Sequence, residues 1–219
     1  MGFILNLETA TKNCSVCLAR DGEIAVLKEF AGDGYAHAEK LHVFIEEVLQ
    51  EACITFKDLD AVAVSRGPGS YTGLRIGVSA AKGLCYALGI PLIAIDTLKL
   101  LALRLNIEDG VIIPMLDARR MEVYTAVYDK DYNKIRETKA EVITENSFSD
   151  FNGPVHLIGD GAAKCREILD ADKFSYHEGI IYPSAAQMAA LSYDKHKKSD
   201  TEDVAYFEPF YLKDFIAGK

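Results

Sequence analysis

The chain has 219 residues, enough for one large domain or two of about 100 residues each. Hydrophobic residues make up 49% and charged residues 26%, as in soluble globular proteins, and no apolar run reaches the ~18 residues that a membrane-spanning helix needs. The net charge of −9 argues against a chain that binds RNA or DNA without a partner, because binding to the phosphate backbone needs a basic face. Five cysteines without framework spacing and no apparent signal peptide favour the cytoplasm.

The first half of the sequence predicts mixed α/β structure. Short apolar runs predict strands, helical spacing of apolar residues predicts helices, and Asp21-Gly22 predicts a hairpin turn. The predicted strands are Phe3–Leu7, Cys14–Arg20, Glu23–Phe30, Leu59–Val64 and Pro91–Ile95, and the predicted helices are His37–Ala52, Thr72–Leu88 and Thr97–Leu105.

A glycine-rich turn, SRGPGSYTG, joins the strand at Leu59–Val64 to the helix after it. Gly67 and Gly69 permit a sharp turn, Ser70 or Thr72 can cap the helix, and Gly89 ends it. Free N–H groups and the positive end of the helix dipole would then face one spot, which suits an anion such as phosphate.

The same helix carries small residues at intervals of four, Gly73, Gly77 and Ala81, with Ala80 beside them. A glycine inside a helix costs about 1 kcal/mol relative to alanine, so the stripe indicates close approach of another backbone. Two interpretations stay open: the helix presses on its own sheet, or it contacts a helix of another chain.

The second half repeats this order of elements, with Asp117 in the place of Glu8. Predicted strands lie at Val111–Leu116, Met121–Tyr128, Lys134–Thr138 and Val155–Ile158, predicted helices at about Ala162–Leu169 and Pro183–Lys197, and an extended tail at Glu208–Leu212. We therefore predict two duplicated lobes, residues 1–105 and 106–219, each a mixed sheet led by three antiparallel strands.

This arrangement resembles the actin, Hsp70 and sugar-kinase superfamily, whose lobes are ribonuclease-H-like. The stretches ETATKNCSV, HAEKLHVFIEEVL, RGPGSYTGLRIGVSAAKGL, LDARRMEVY and EPFYLKD, spread over nearly the whole chain, resemble the TsaB (YeaZ) family. The resemblance implies a non-catalytic partner of the paralogue TsaD and the ATPase TsaE in tRNA threonylcarbamoylation at the adenosine beside the anticodon. It implies contact with tRNA only through that complex.

The resemblance also implies that the two N-lobe helices form the contact with TsaD, or with a second copy in a homodimer. The implied interface residues are Leu41, Ile45, Val48, Gly73, Leu74, Gly77, Val78, Ala80, Ala81 and Leu84.

The chain departs from TsaD where TsaD carries two metal-binding histidines, because residues 96–101 read DTLKLL. None of the five histidines has a partner at metal-ligand spacing, so we expect no metal site, no cofactor, and ATP only in the assembled complex. Candidates for nucleotide or anion binding are Glu8, Gly67, Gly69, Ser70, Thr72 and Asp117. The alternative function is an ATP-dependent carbamoyl or phosphoryl transferase active on its own. A metallopeptidase would need a ligand cluster that the sequence lacks.

Several cations lie on or near the glycine-rich turn and its helix, namely Arg66, Arg75 and Lys82, and the equivalent bend of the second lobe carries Arg119 and Arg120. The simpler interpretation is surface charges or ion pairs, and it is favoured. The functional interpretation is contact with an acidic partner or with RNA.

Overall fold

The computed structural model describes residues 2–32 and 36–213, and the chain divides into two compact units. The first unit comprises Met1–Thr97 and Ser184–Lys219, and the second comprises Leu98–Pro183. This division differs from the predicted lobes of residues 1–105 and 106–219, because the last helix and the tail pack on the first sheet. None of the described helices combines the length and apolarity that crossing a membrane requires.

The first unit is a five-stranded mixed sheet in the order β3-β2-β1-β4-β5. Its strands are β1 (Phe3–Glu8), β2 (Asn13–Arg20), β3 (Glu23–Ala31), β4 (Leu59–Ser65) and β5 (Leu92–Ile95). The first three pair antiparallel, whereas β4 and β5 pair in parallel beside β1. Asp21 and Gly22 have φ of 53° and 88°, which confirms the predicted hairpin turn.

Three helices pack on this sheet: α1 (His37–Glu51), α2 (Tyr71–Leu88) and α4 (Met188–Lys197). Buried apolar residues of α1 and α2 form one core with alternate residues of β1 and β2, since alternate strand residues share a face. The α4 helix packs against β1, β2 and β5. The tail then pairs Glu202 with Leu92 and runs along the surface, as predicted.

The second unit repeats the sheet in the order β10-β9-β6-β7-β8. Its elements are β6 (Val111–Asp117), β7 (Glu122–Asp129), β8 (Lys134–Val142), β9 (Val155–Ile158), β10 (Phe174–Tyr176) and the short helix α3 (Thr97–Ala102) leading into it. The first three strands of this unit, β6, β7 and β8, pair antiparallel, whereas β9 pairs in parallel with β6, and β10 in parallel with β9. Both units therefore share one topology. The predicted duplicated α/β fold is confirmed.

Three local predictions were wrong. The helix predicted at Ala162–Leu169 is a single 3-10 turn at Ala163–Cys165 within a run of turns, and its bonds, such as Cys165 N–H to Ala162 C=O (3.0 Å), span three residues. The last helix begins at Met188 rather than Pro183, after a 3-10 turn capped by Ser184. The third helix ends at Ala102, and β10 was not predicted.

Candidate functional site

The glycine-rich turn leads from β4 into α2 as predicted, and Ser70 is the residue that caps the helix. The Ser70 hydroxyl accepts from the Gly73 N–H (3.2 Å), and Gly89 ends the helix with φ of 68°. Much of the turn's hydrogen bonding is already used inside the chain. The Gly67 N–H donates to the Thr97 hydroxyl (3.1 Å), and the Ser70 N–H donates to the Ala10 carbonyl (2.7 Å).

The loop between β1 and β2 fills the space beside the start of α2. A β-carbon on Gly69 would overlap the Ala10 carbonyl oxygen, and one on Gly73 would overlap the Thr9 carbonyl oxygen. The Thr9 hydroxyl donates to the Gly73 carbonyl (2.8 Å) and would also collide with a β-carbon on Gly77. Gly73 and Gly77 therefore pack inside the chain, as the first interpretation held, but against the loop between β1 and β2 rather than against the sheet itself.

The turn is less open to an anion than the sequence indicated. The Gly67 and Ser70 amides already donate to the chain's own oxygens, and the Ala10 carbonyl oxygen lies against Gly69. Anion binding at these three residues stays a prediction. Thr72 is exposed on the first turn of α2, and a role for it in binding stays a prediction.

Glu8 lies at the end of β1 and is fully buried. Burial raises the pKa of its carboxyl to about 7, although the Ala10 N–H, 2.6 Å from Oε1, and the neighbouring Ser65 hydroxyl lower it in part. Within the described residues, neither Glu8 Oε2 nor the Ser65 hydroxyl makes a hydrogen bond of good geometry. A carboxyl in this position is substantially protonated near neutral pH.

Asp117 ends β6 at the corresponding place in the second unit. Its carboxylate pairs with the Lys164 ammonium and accepts from the Arg119 N–H (3.0 Å). Its own N–H donates to Asp160 Oδ1 (2.9 Å), and burial raises the pKa of the Asp160 carboxyl. Asp117 is therefore engaged in fixing a bend of the chain.

Eight of the ten predicted interface residues are buried in the core of their own unit, so this prediction is corrected for them. Only Ala80 and Leu84 are partly exposed; the buried ones are Leu41, Ile45, Val48, Gly73, Leu74, Gly77, Val78 and Ala81. The helical spacing of these residues correctly identified one face of each helix. It did not tell whether that face meets the chain's own sheet or a partner.

The opposite face of α2 is the exposed one. Gly83 lies in its middle with no atom within 4 Å of the place a β-carbon would take, and Tyr86 is 87% exposed. On α1, the apolar Val43 is 47% exposed. An exposed mid-helix glycine was visible in the sequence, but it stood outside the buried stripe.

The C-terminal tail occupies one flank of α2. The Lys82 ammonium donates to the carbonyls of Ala205 (3.2 Å) and Phe207 (2.9 Å), and the Phe210 N–H donates to the Arg66 carbonyl (2.7 Å). The Arg75 guanidinium lies 4.3 Å from the centre of the Tyr71 ring. The cations around the first turn thus have partners inside the chain.

His156 and His177, which are 21 residues apart in the sequence, are in contact in the structure. Because β9 and β10 are parallel neighbours, His156 Nδ1 is 2.9 Å from His177 Nε2, and the other His156 nitrogen is 3.2 Å from the Asp109 carbonyl oxygen. Burial, and then the neighbouring His156, lowers the pKa of His177. Two nitrogens fall short of a metal site, and residues 2–32 and 36–213 contain no metal-binding group of three or more His, Cys, Asp or Glu.

A family model described as "TsaD: tRNA N6-adenosine threonylcarbamoyltransferase" matches residues 34–217. The chain is 34% identical to the tRNA threonylcarbamoyladenosine biosynthesis protein TsaB of Bacillus subtilis, over 96% of this chain and 93% of that protein. It is 29% identical to the protein of the same name from Escherichia coli, over 99% and 96% of the two chains. The solved structure of YeaZ from Pseudomonas aeruginosa superposes with a TM-score of 0.85 at 24% identity, over 97% of this chain and 100% of that chain.

Proposed function

Because this chain belongs to the TsaB family, we propose that it is a non-catalytic subunit of the machinery that makes threonylcarbamoyladenosine in tRNA. In this proposal it pairs with a TsaD paralogue, works with the ATPase TsaE in the cytoplasm, and reaches tRNA only as part of that complex. It carries no cofactor of its own, and any nucleotide binds only in the assembly.

One observation carries the non-catalytic part of the proposal. The acidic residue and glycine turn that could position a phosphate are closed by the chain itself, with Glu8 fully buried and the Thr9–Ala10 loop against Gly69 and Gly73. A buried carboxyl with a pKa of about 7 is a poor ligand for Mg²⁺, which prefers ionised carboxylates. The same observation speaks against an ATP-dependent transferase active on its own.

The exposed face of α2 supports pairing with another chain. A glycine inside a helix lowers stability by about 1 kcal/mol relative to alanine. At Gly83 no neighbouring group among the described residues requires the missing β-carbon, because the space around it is open. Partly buried Ala80 and Leu84 lie beside it, and exposed Val43 lies on α1. A helix of a partner could approach closely at Gly83, and we assign the pairing to this face. Either TsaD or a second copy could occupy it.

Gly83→Arg tests this assignment. The new side chain has room in the isolated chain and arginine favours a helix over glycine, so the thermal unfolding temperature should not fall below that of the wild type. Co-purification with TsaD should be lost, and a reconstituted mixture with TsaD, TsaE, tRNA and the threonylcarbamoyl-adenylate donor should form little modified adenosine. Gly153→Arg is the matched control, because Gly153 is also exposed with open space around it, in the second unit.

Normal pairing by the Gly83→Arg variant would show that another face meets TsaD. ATP turnover or tRNA modification by the isolated wild-type chain would instead favour the transferase and overturn the proposed function. Gly77→Arg is unsuitable for this purpose, since Thr9 leaves no room at Gly77 and the fold itself would be disturbed.

A further inference from the structure

The bend between β6 and β7 presents two consecutive arginines in an unusual backbone conformation. Arg119 and Arg120 have φ of 69° and 53°, in the left-handed region that glycine or asparagine normally occupies. Residues held in this region tend to cluster at binding and switch sites, where the surrounding structure fixes them.

The surrounding structure fixes this bend through several hydrogen bonds. The Lys164 ammonium pairs with Asp117 and donates to the carbonyls of Arg120 and Glu122 (2.7 Å each). The Arg119 N–H donates to Asp117 Oδ1 (3.0 Å), and the Ala118 N–H donates to the Glu122 carbonyl (3.1 Å). The main chain of Arg119 is thus held by Asp117, and that of Arg120 by Lys164.

The two guanidinium groups are exposed, and neither has an ion pair, hydrogen bond or ring contact within the part of the chain that the structure describes. Every other arginine has such a partner. The partners are Phe3 for Arg20, Asp96 for Arg66, Tyr71 for Arg75, Tyr182 for Arg104, Asp150 for Arg136 and Glu178 for Arg166. The chain has a net charge of −9, yet these two arginines at a fixed bend have no acidic partner of their own among the described residues.

We propose that the Arg119–Arg120 bend binds backbone phosphates of tRNA when the chain is part of the assembled complex. This inference rests on the proposed function. The guanidinium fork matches phosphate oxygens in geometry, and Lys164 neutralises the nearby Asp117 carboxylate. A protein partner usually adds an apolar contact core, whereas the exposed side chains of this bend, Asp117, Arg119 and Arg120, are all charged. RNA is therefore the favoured occupant.

The test is the double variant Arg119→Asn/Arg120→Asn in the complex reconstituted with TsaD and TsaE. Asparagine accepts the left-handed conformation, so the bend and the thermal unfolding temperature should be retained. Binding of fluorescent tRNA is measured by anisotropy between about 50 and 200 mM salt. We expect about tenfold weaker binding near 100 mM salt, and a slope of log affinity against log salt that is lower by about 1 to 2.

Lys130→Asn/Lys198→Asn is the charge-matched control, because both lysines are exposed and lie away from the bend in sequence. Equal tRNA affinity and salt slope for the two double variants would overturn the proposal. Weaker co-purification with TsaD or TsaE at an unchanged salt slope would also overturn it, since the bend would then contact an acidic protein surface. A wild-type complex that neither binds nor modifies tRNA overturns the proposed function and this inference together, whereas failure of the inference alone leaves wild-type modification intact.

Discussion

Glu8 shows how burial changes the chemistry of a single carboxyl group. Its carboxyl is fully buried, and burial raises its pKa from an ordinary value of 4.5 to about 7. Between these two pH values the unfolded chain ionises before the folded chain does. The folded state therefore loses stability as the pH rises from about 4.5 to about 7, by about 3 kcal/mol in free energy of unfolding.

Glu8→Gln removes this ionisation, so we expect the variant to gain stability relative to the wild type as the pH rises. Urea unfolding at pH 4.5 and pH 8 measures the difference, which should move in favour of the variant by about 3 kcal/mol. Glu145→Gln, at an exposed position, should show no comparable change. A wild-type chain whose stability relative to Glu8→Gln is independent of pH would mean that Glu8 is not buried as described.

The α2 helix carries glycines with opposite roles on its two faces. Gly73 lies against the Thr9 carbonyl oxygen, whereas Gly83 faces open space. Gly73→Ala should lower the free energy of unfolding by about 1–3 kcal/mol through overpacking. Gly83→Ala should raise it by about 1 kcal/mol, because alanine favours the helix and meets nothing.

Urea unfolding of the two single variants, measured side by side, checks this pair of predictions. Both variants replace glycine by alanine in the same helix, so they differ only in the helix face that is changed. Equal effects of the two substitutions would contradict the assignment of the faces.

At the scale of elements, the sequence was informative where a segment was long and apolar or carried a cap. The strand Leu59–Ser65 and the helix Tyr71–Leu88 followed from apolar runs, from Ser70 before the helix and from Gly89 after it. Short elements were missed, because three residues such as Phe174–Tyr176 have no periodicity to detect. The His156–His177 contact depends on that missed strand, so spacing along the chain could not reveal it.

The candidate site was predicted in part for a related reason. Helical spacing identified the stripe at Gly73, Gly77 and Ala81, yet a stripe does not state what it packs against. The Thr9–Ala10 loop that fills it is more than 60 residues away in sequence, as the Thr9 to Gly73 hydrogen bond shows. The exposed face, with Gly83 and Tyr86, could be proposed as the pairing surface only after the buried face was known.

At the scale of the whole molecule, the duplicated α/β fold with two repeated sheets is confirmed, but the chain returns to its first unit at the end. The repeated order of elements along the sequence predicted a boundary near residue 105. In the structure, residues 184–213 belong to the first unit instead, with α4 packed on the sheet and the tail beside β5 and α2. Ala185 N–H donates to the Ser15 hydroxyl (2.9 Å), and Met188 is fully buried in α4.

Truncation after Pro183 should therefore damage the first unit and spare the second. Loss of α4 exposes the face of β1, β2 and β5 that it covers, and burying Met188 alone contributes about 1.5–3 kcal/mol. Hydrogen exchange should speed up in β1, β2 and β5 and change little in β6, β7 and β9. Truncation after Ser199, which keeps α4 and removes only the tail, should have a smaller effect centred on Leu92 and Lys82. Faster exchange confined to β6–β9 would instead place α4 with the second unit, because amide protection follows the element whose packing is lost.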